Sequence, residues 1–317
     1  MEIPIILEDF LNYIKTIKGK SSNTVKEYSY DLIIFFKFLK IRYRMLPNDE
    51  DFDNIVIFDL DEEILKRVKL EDLHAYISYV DDKRDNKNST KARKVASIRS
   101  FFNYLYDIRK IIDNNPATQL ESPKINSRQP IYLSLPEAER LLDTVKEAGG
   151  KNKERDYAII TLFLNCGLRL SELVSIDLDK IRGDILTVIG KGDKERTIYL
   201  NIACVEAIND YIEVRPKERL KEPKALFISR QRNRLNEKTV QHMVKKYIKL
   251  AGLDPDKYSV HKLRHTAATL MYKYGDVDIR ALQQILGHEN VSTTQIYTHV
   301  DDDRLRDAIS RNPLANN

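Results

Sequence analysis

The stretch Ser259-Val-His261-Lys-Leu-Arg264-His265-Thr-Ala267-Ala268-Thr-Leu270-Met271 decides how the second half of this chain is read. With about 100° of turn per residue in a helix, Leu263, Ala267, Leu270 and Met271 share one face, and His261, Arg264, His265 and Ala268 gather on the opposite one. Ser259 stands where a helix cap belongs. Two imidazoles and a guanidinium therefore meet near a helix start, where outward-pointing amides also favour an anion. The pattern predicts a phosphate-binding face; the plain rival is a solvated helix surface. A zinc site on His261 and His265 is not expected, because Lys262 stands where HExxH has its glutamate and no third ligand is placed.

Downstream lies Leu286-Gly-His288-Glu-Asn-Val-Ser292-Thr-Thr-Gln-Ile-Tyr297-Thr-His299. Gly287 ends one predicted helix (Ile279 to Leu286), and Ser292 with Gln295 has the spacing of a capping box, which puts Tyr297 in the second turn of a short helix. An ordinary buried tyrosine in a helix-turn-helix is the rival reading. Upstream, in Asn165-Cys-Gly167-Leu-Arg169-Leu-Ser-Glu172-Leu, Gly167 ends a strongly apolar helix and leaves Arg169 in the turn. Between these segments Ile185 to Ile189 and Arg196 to Leu200 flank Gly190-Lys191-Gly192-Asp193, a hairpin signal. The glycines do not make a nucleotide loop: GxxxxGK is absent and no helix opens there.

The rest of the chain is read as mostly helical. Residues 1 to 116 are predicted as a four-helix domain from Ile5 to Ile17, Thr24 to Leu39 (start marked by Ser21, Ser22 and Asn23), Leu70 to Val80 and Thr90 to Tyr106. An insertion from about 48 to 69 interrupts it, with Asn54 to Leu60 strand-like and Asp61 to Val68 a short helix. Residues 117 to 131, with Pro123 and Pro130, have little apolar periodicity and are expected as a linker. A second domain, 132 to 317, opens at the Ser134/Glu137 capping box and carries helices over Glu137 to Lys146, Arg155 to Leu164, Ala203 to Ile212, Glu237 to Leu250 and Leu263 to Tyr274.

A length of 317 residues allows two separate cores. No apolar run is long enough to span a membrane, and the N-terminus lacks the basic start of a secretory signal, so a cytoplasmic, nucleoid-associated protein is expected. Cys166 and Cys204 sit in apolar stretches without CxxC spacing and are expected as reduced core residues. Residues 1 to 116 carry 20 basic and 20 acidic side chains and the remainder 33 against 28, so the net charge of +5 lies in the second part. Eight of the early acids crowd Asp49 to Glu63; without that segment the first domain is basic too, as suits a nucleic-acid binder. Arg93, Lys94 and Arg99, the loop with Arg230, Arg232 and Arg234, and the helix with Lys245 and Lys246 are candidate phosphate contacts, each with a solvated charged face as its rival.

Taken together, Gly-Leu-Arg169-x-Ser-Glu172-Leu, Gly-Lys191-Gly-x-Lys-x-Arg, His261-x-Leu-Arg264-His265 and Leu-Gly-His288 followed nine residues later by Tyr297 resemble the tyrosine site-specific recombinases, most closely the bacterial Xer group. The resemblance covers nearly the whole chain. It implies a helical, SAM-like core-binding domain and a mostly α catalytic domain with a small antiparallel sheet, the fold shared with type IB topoisomerases. It implies Tyr297 as nucleophile through a 3′-phosphotyrosyl intermediate, Arg169 and Arg264 on the nonbridging oxygens, and Lys191 as general acid. His261 would serve proton transfer and phosphate contact, His288 would donate to the phosphate, and Glu172 would order the site, with His265 as a further supporting residue. No metal or other cofactor is implied. Implied partners are double-stranded DNA, a homo- or hetero-tetramer docked through the tail 301 to 317 (helix-like at Arg304 to Ile309), and an accessory activator. The rivals are supercoil relaxation of the topoisomerase kind and a helical regulator that cuts nothing.

Overall fold

The computed structural model describes residues 2–46, 51–84, 86–124, 130–148, 150–190, 194–288 and 290–297. It divides into two compact units, Met1–Asn126 and Ser127–Asn317, mainly α with one small antiparallel sheet.

The first unit holds α1 (Ile5–Thr16), α2 (Ser22–Arg42), the short α3 (Glu62–Lys66), α4 (Leu70–Asp82) and α5 (Asn88–Asn103), which runs into a π turn over Tyr104–Ile108. Ser21 caps α2, its hydroxyl accepting from the Thr24 amide. The core is rich in aromatic rings that meet edge to face, Phe10 on Phe101 at 5.3 Å and Phe35 on Tyr76 at 5.1 Å, a geometry that adds about 0.5–1.5 kcal/mol per pair beyond buried area.

Asn54 to Leu60, expected as a strand, is not one. A 3-10 turn at Phe52–Asn54 leads into irregular chain, with Ile55, Ile57 and Leu60 buried. The apolar alternation is genuine, but its backbone finds lysines rather than a neighbouring strand. Lys37 Nζ donates to the carbonyls of Phe52 (3.1 Å) and Asp53 (2.8 Å), and Lys40 Nζ to the carbonyl of Val56 (3.0 Å) and the Asp59 carboxylate (2.8 Å). The acidic insertion is thereby strapped onto α2. Ala117 and Leu120, read as linker, are buried in this first core, because they supply apolar surface that the periodicity of so short a stretch does not reveal.

In the second unit α6 (Leu135–Glu147) opens on the expected capping box, the Ser134 amide donating to Glu137 Oε2 at 2.7 Å. The apolar α7 (Lys153–Cys166) is central, packed by α6 and by two later helices, α9 (Ile202–Val214) and α11 (Val260–Tyr274). A short α8 (Leu170–Val174), unforeseen in the sequence, follows α7 at once. The sheet is β1 (Ile181–Arg182), β2 (Ile185–Ile189) and β3 (Glu195–Tyr199) in that order, with Leu186 opposite Ile198 and Val188 opposite Arg196. Lys191 and the rest of the hairpin tip lie outside the described residues, as does the tail 301 to 317 with its expected helix.

Among the described residues three more helices follow: α10 (Glu237–Leu250), α12 (Ile279–Leu286) and α13 (Ser292–Gln295). Two local expectations are corrected. Ser259 precedes α11 but its side chain makes no capping bond, and α13 has Val291 rather than Ser292 at its N-cap, so that Tyr297 lies just beyond the helix. Cys166 and Cys204 are buried free thiols 3.7 Å apart between α7 and α9. Among the described residues no helix is long and apolar enough to cross a membrane.

Candidate active site

Two left-handed glycines make the site. Gly167 (φ +58°) ends α7 and Gly287 (φ +63°) ends α12, and each turns the chain so that the last carbonyls point inward. Arg264, from the first turns of α11, donates through Nη1 to the Gly167 carbonyl and through Nη2 to the Leu286 carbonyl at 2.6 Å. Arg169, the N-cap residue of α8, donates through Nη2 to the Gly287 carbonyl at 2.7 Å. Segments 118 residues apart in sequence are thus closed on each other by guanidinium forks and helix-end carbonyls, the groups left without partners at a helix C-terminus.

Glu172, 1% exposed, lies beneath both arginines. It accepts from Arg169 Nη1 at 2.7 Å and the Arg169 amide at 2.8 Å, and Arg264 Nη1 is 3.9 Å away. A third guanidinium, Arg196 from β3, reaches it at 2.8 Å and 3.3 Å. Burial alone pushes the Glu172 carboxyl up, but Arg196 and then Arg169 outweigh it and hold it below the ordinary carboxylate range. Arg264 is lowered to about 10 by burial and by Arg169, and stays charged at neutral pH. Arg196 is the last residue of the Gly-Lys-Gly-x-Lys-x-Arg motif, a spacing that marks it in the sequence without indicating a role.

The α11 face read as polar is covered in part. Ala268 is buried with Leu282, Leu286 and Tyr297 in a small core of its own. Tyr297, 1% exposed, sits there with its hydroxyl 2.7 Å from His265 Nδ1. The phenol therefore meets His265; His261 is one turn earlier, its ring against that of His265 at 4.5 Å. Burial raises the Tyr297 phenol to about 12 against a small opposing pull from Arg264. His288 bonds Thr294 Oγ1 through Nδ1 at 3.0 Å. Arg169, His261, Arg264 and His288 line one open cleft of about 730 Å³ together with Ser259 and Lys245, and Tyr297 lies beneath it rather than on its wall. No cluster of three or more metal-ligating side chains occurs among the described residues.

The candidate DNA contacts divide. Lys94 is buried, paired with Asp31 at 2.9 Å, and joins α5 to α2, so it is withdrawn as a DNA contact. Arg93 pairs with the same Asp31 and with Glu27, and Arg99 donates to the Leu120 carbonyl. Arg234 is held by Asp177, Glu222 and the carbonyls of Val174 and Ile176. These are structural attachments that a charge count along the sequence does not distinguish from free cations. Arg230, Arg232, Lys245 and Lys246 are exposed; Lys245 pairs loosely with Asp256, and the other three line a polar cleft of about 680 Å³.

His265 and His288 are each pushed from 6.5 to about 4, by burial first and then by neighbouring cations, which for His288 are Arg264, Arg169 and Arg196. Folded-state values below the unfolded one mean that the unfolded chain binds more protons, so stability rises with pH through the window from about 4 to 6.5. Acidification from pH 7 to pH 5 is expected to cost the second unit about 2 kcal/mol through this pair, after discounting for their partial exposure. Denaturant titrations of wild type and of a His265→Gln, His288→Gln variant at both pH values measure it; an equal loss in the two proteins removes the histidines as its source.

A model of the phage integrase family matches residues 132–304. The chain belongs to that family, the tyrosine recombinases. Its likeness is to the Xer group: it is 59% identical to the tyrosine recombinase XerC of Caldanaerobacter subterraneus subsp. tengcongensis over 99% of this chain and 88% of that one. It is 36% identical to the XerC of Thermodesulfovibrio yellowstonii over 93% and 91% of the two chains. Among solved structures, the XerA recombinase is 30% identical with a TM-score of 0.51 over 96% of each chain. XerH bound to a palindromic difH substrate shares the fold, at 22% identity and a TM-score of 0.73 over 96% of this chain and 84% of that one. These relatives do not favour the topoisomerase-like reading or the regulator without catalysis.

Proposed function

We propose that this recombinase exchanges DNA strands at specific sites through Tyr297. The phenolic oxygen attacks the scissile phosphorus, the bond to the 5′ oxygen breaks, and the product is a 3′-phosphotyrosyl linkage with a free 5′-hydroxyl. A 5′-hydroxyl from a second duplex then reverses the step, returning Tyr297 and joining the strands to a new partner. One ester replaces another, so the bond energy is conserved and no external energy source is called for.

The observation that supports this most is the joint anchoring of Arg169 and Arg264 on the turns after α7 and α12, with Tyr297 against the same helix as Arg264. Phosphodiester attack is slow because negative charge grows on the nonbridging oxygens, and two permanently charged planar forks on one cleft wall oppose that charge. A neutral His265 is able to accept the phenol proton at Nδ1 in the resting chain. His261 and His288, on the cleft wall, would contact the phosphate, with His261 also serving proton transfer. Lys191, in the hairpin tip, would protonate the leaving oxygen. Because Tyr297 is buried below the cleft, the segment after α12 has to shift on DNA binding before attack. Glu172 orders the arginines.

The first unit and the exposed Arg230, Arg232, Lys245 and Lys246 would hold duplex DNA mainly by its phosphates, in a tetramer on two sites, in the cytoplasm where such DNA lies. A duplex nicked just beyond the cleavage point loses its 5′-hydroxyl fragment and prevents rejoining. Incubated with such a duplex bearing its own target site, the wild-type chain is expected to accumulate a protein–DNA adduct that survives boiling in detergent. If none forms on any duplex recovered with the protein from its cells, the proposal fails.

A further inference from the structure

We propose that Arg196 is a positioning residue for cleavage: it keeps Glu172 paired when Arg169 turns to the scissile phosphate, and it fastens strand β3 to the Leu286-Gly-His288 turn. This rests on the reading of Arg169 as a phosphate-binding group.

The three guanidiniums around Glu172 are not equivalent. Arg169 is 30% exposed and lines the cleft, and one of its Nη atoms is spent on Glu172. Arg264 lines the same cleft and stands 3.9 Å from the carboxylate. Arg196 is 13% exposed and turned inward: Nη2 and Nε contact the two carboxylate oxygens, and Nη1 donates to the Ile285 carbonyl in the last turn of α12. Gly287 makes room for it, since a Cβ there would come 2.8 Å from Arg196 Cδ.

A phosphate entering the cleft competes with Glu172 for Arg169. A carboxylate 1% exposed and stripped of its partner takes up a proton or disrupts its surroundings. With Arg196 in place the carboxylate keeps a two-point partner that is not on the wall of the 730 Å³ cleft. It then continues to hold the Arg169 amide at the start of α8, and so the origin of the Arg169 side chain. The Ile285 contact also ties β3, at the foot of the hairpin that carries Lys191, to the turn that carries His288.

The test is single-turnover cleavage of the nicked duplex from pH 6 to 9 by the full chain, with DNA affinity measured in parallel. The charged groups facing Glu172 among the described residues are Arg169, Arg196 and Arg264, so the variants are Arg196→Met, Arg196→Lys and Glu172→Gln. Arg196→Met is expected to bind DNA as wild type does and to cleave on the order of ten- to a hundredfold more slowly, as for loss of a hydrogen bond to a charged group. The deficit relative to wild type should deepen toward acid, where an unsupported Glu172 is protonated, and shrink toward pH 9. Adding Glu172→Gln to Arg196→Met should cost less than Glu172→Gln costs alone. Arg196→Lys keeps the charge without the fork and should cleave slowly with the wild-type pH profile; it carries the test if Arg196→Met does not fold. A deficit constant with pH and multiplicative with that of Glu172→Gln, or wild-type rates in both Arg196 variants, overturns the proposal while the wild-type adduct still stands. Absence of the adduct in wild type overturns the underlying reading instead.

Discussion

Tyr297→Phe is expected to form no covalent adduct with a nicked duplex while binding that duplex as tightly as wild type. Phenylalanine keeps the ring in its slot beside Ala268, Leu282 and Leu286 and removes one oxygen. That oxygen's bond to His265 is the structural loss, a net contribution of about 1 kcal/mol, which for a unit of this size lowers the melting temperature by roughly 2–4 °C. The chemical loss is total, because no other atom of residue 297 is a nucleophile. Peptide mapping of the wild-type adduct locates the modified residue among the 17 tyrosines of the chain. An adduct that persists in Tyr297→Phe, or that maps to another tyrosine, defeats the assignment of the nucleophile. The shift in melting temperature separates this result from unfolding.

Arg264→Lys should slow single-turnover cleavage by two to three decades, the scale of removing one donor aimed at transition-state charge. Lysine keeps the positive charge, so simple electrostatic attraction of DNA survives. It cannot, however, span the carbonyls of Gly167 and Leu286 and also present donors to the cleft, which the planar fork does. Arg264→Ala should add a stability cost of about 1–3 kcal/mol, because two helix-end carbonyls lose their buried donor and Glu172 loses a nearby cation. Rates measured well below the melting temperature of each variant keep the two effects apart. Near-normal cleavage by Arg264→Lys means that this arginine only ties α7 to α12 and does not meet the phosphate.

The helices were legible where apolar residues recur at helical spacing. α2, α4, α7 and α10 fall within a few residues of their expected limits because each buries a stripe on one of the two large cores, and α12 because Leu282 and Leu286 pack in the small core with Tyr297. α8 is five residues long and gives periodicity nothing to detect; it exists because α7 stops at Gly167 and Glu172 bonds back to the Arg169 amide. The insertion misled in the opposite way, since the alternation of Ile55 and Ile57 satisfies burial while two lysines of α2 serve the backbone that a neighbouring strand would have served.

The identity of the charged cluster was fixed by residue type and order along the chain: Arg169, Glu172, His261, Arg264, His288 and Tyr297 are all found around one pair of turns. Which cation serves which purpose was decided only by folding. Charge is a property of the residue, but availability is a property of its neighbours. Lys94 beside Asp31 and Arg234 beside Asp177 are consumed by the fold, Arg196 is turned inward onto Glu172, and Arg169 is left facing the cleft. The same holds for Tyr297, the proposed nucleophile, which burial at His265 keeps below the cleft. Partners brought together across more than a hundred residues leave no spacing to read, and desolvation acts only once the surrounding side chains are packed.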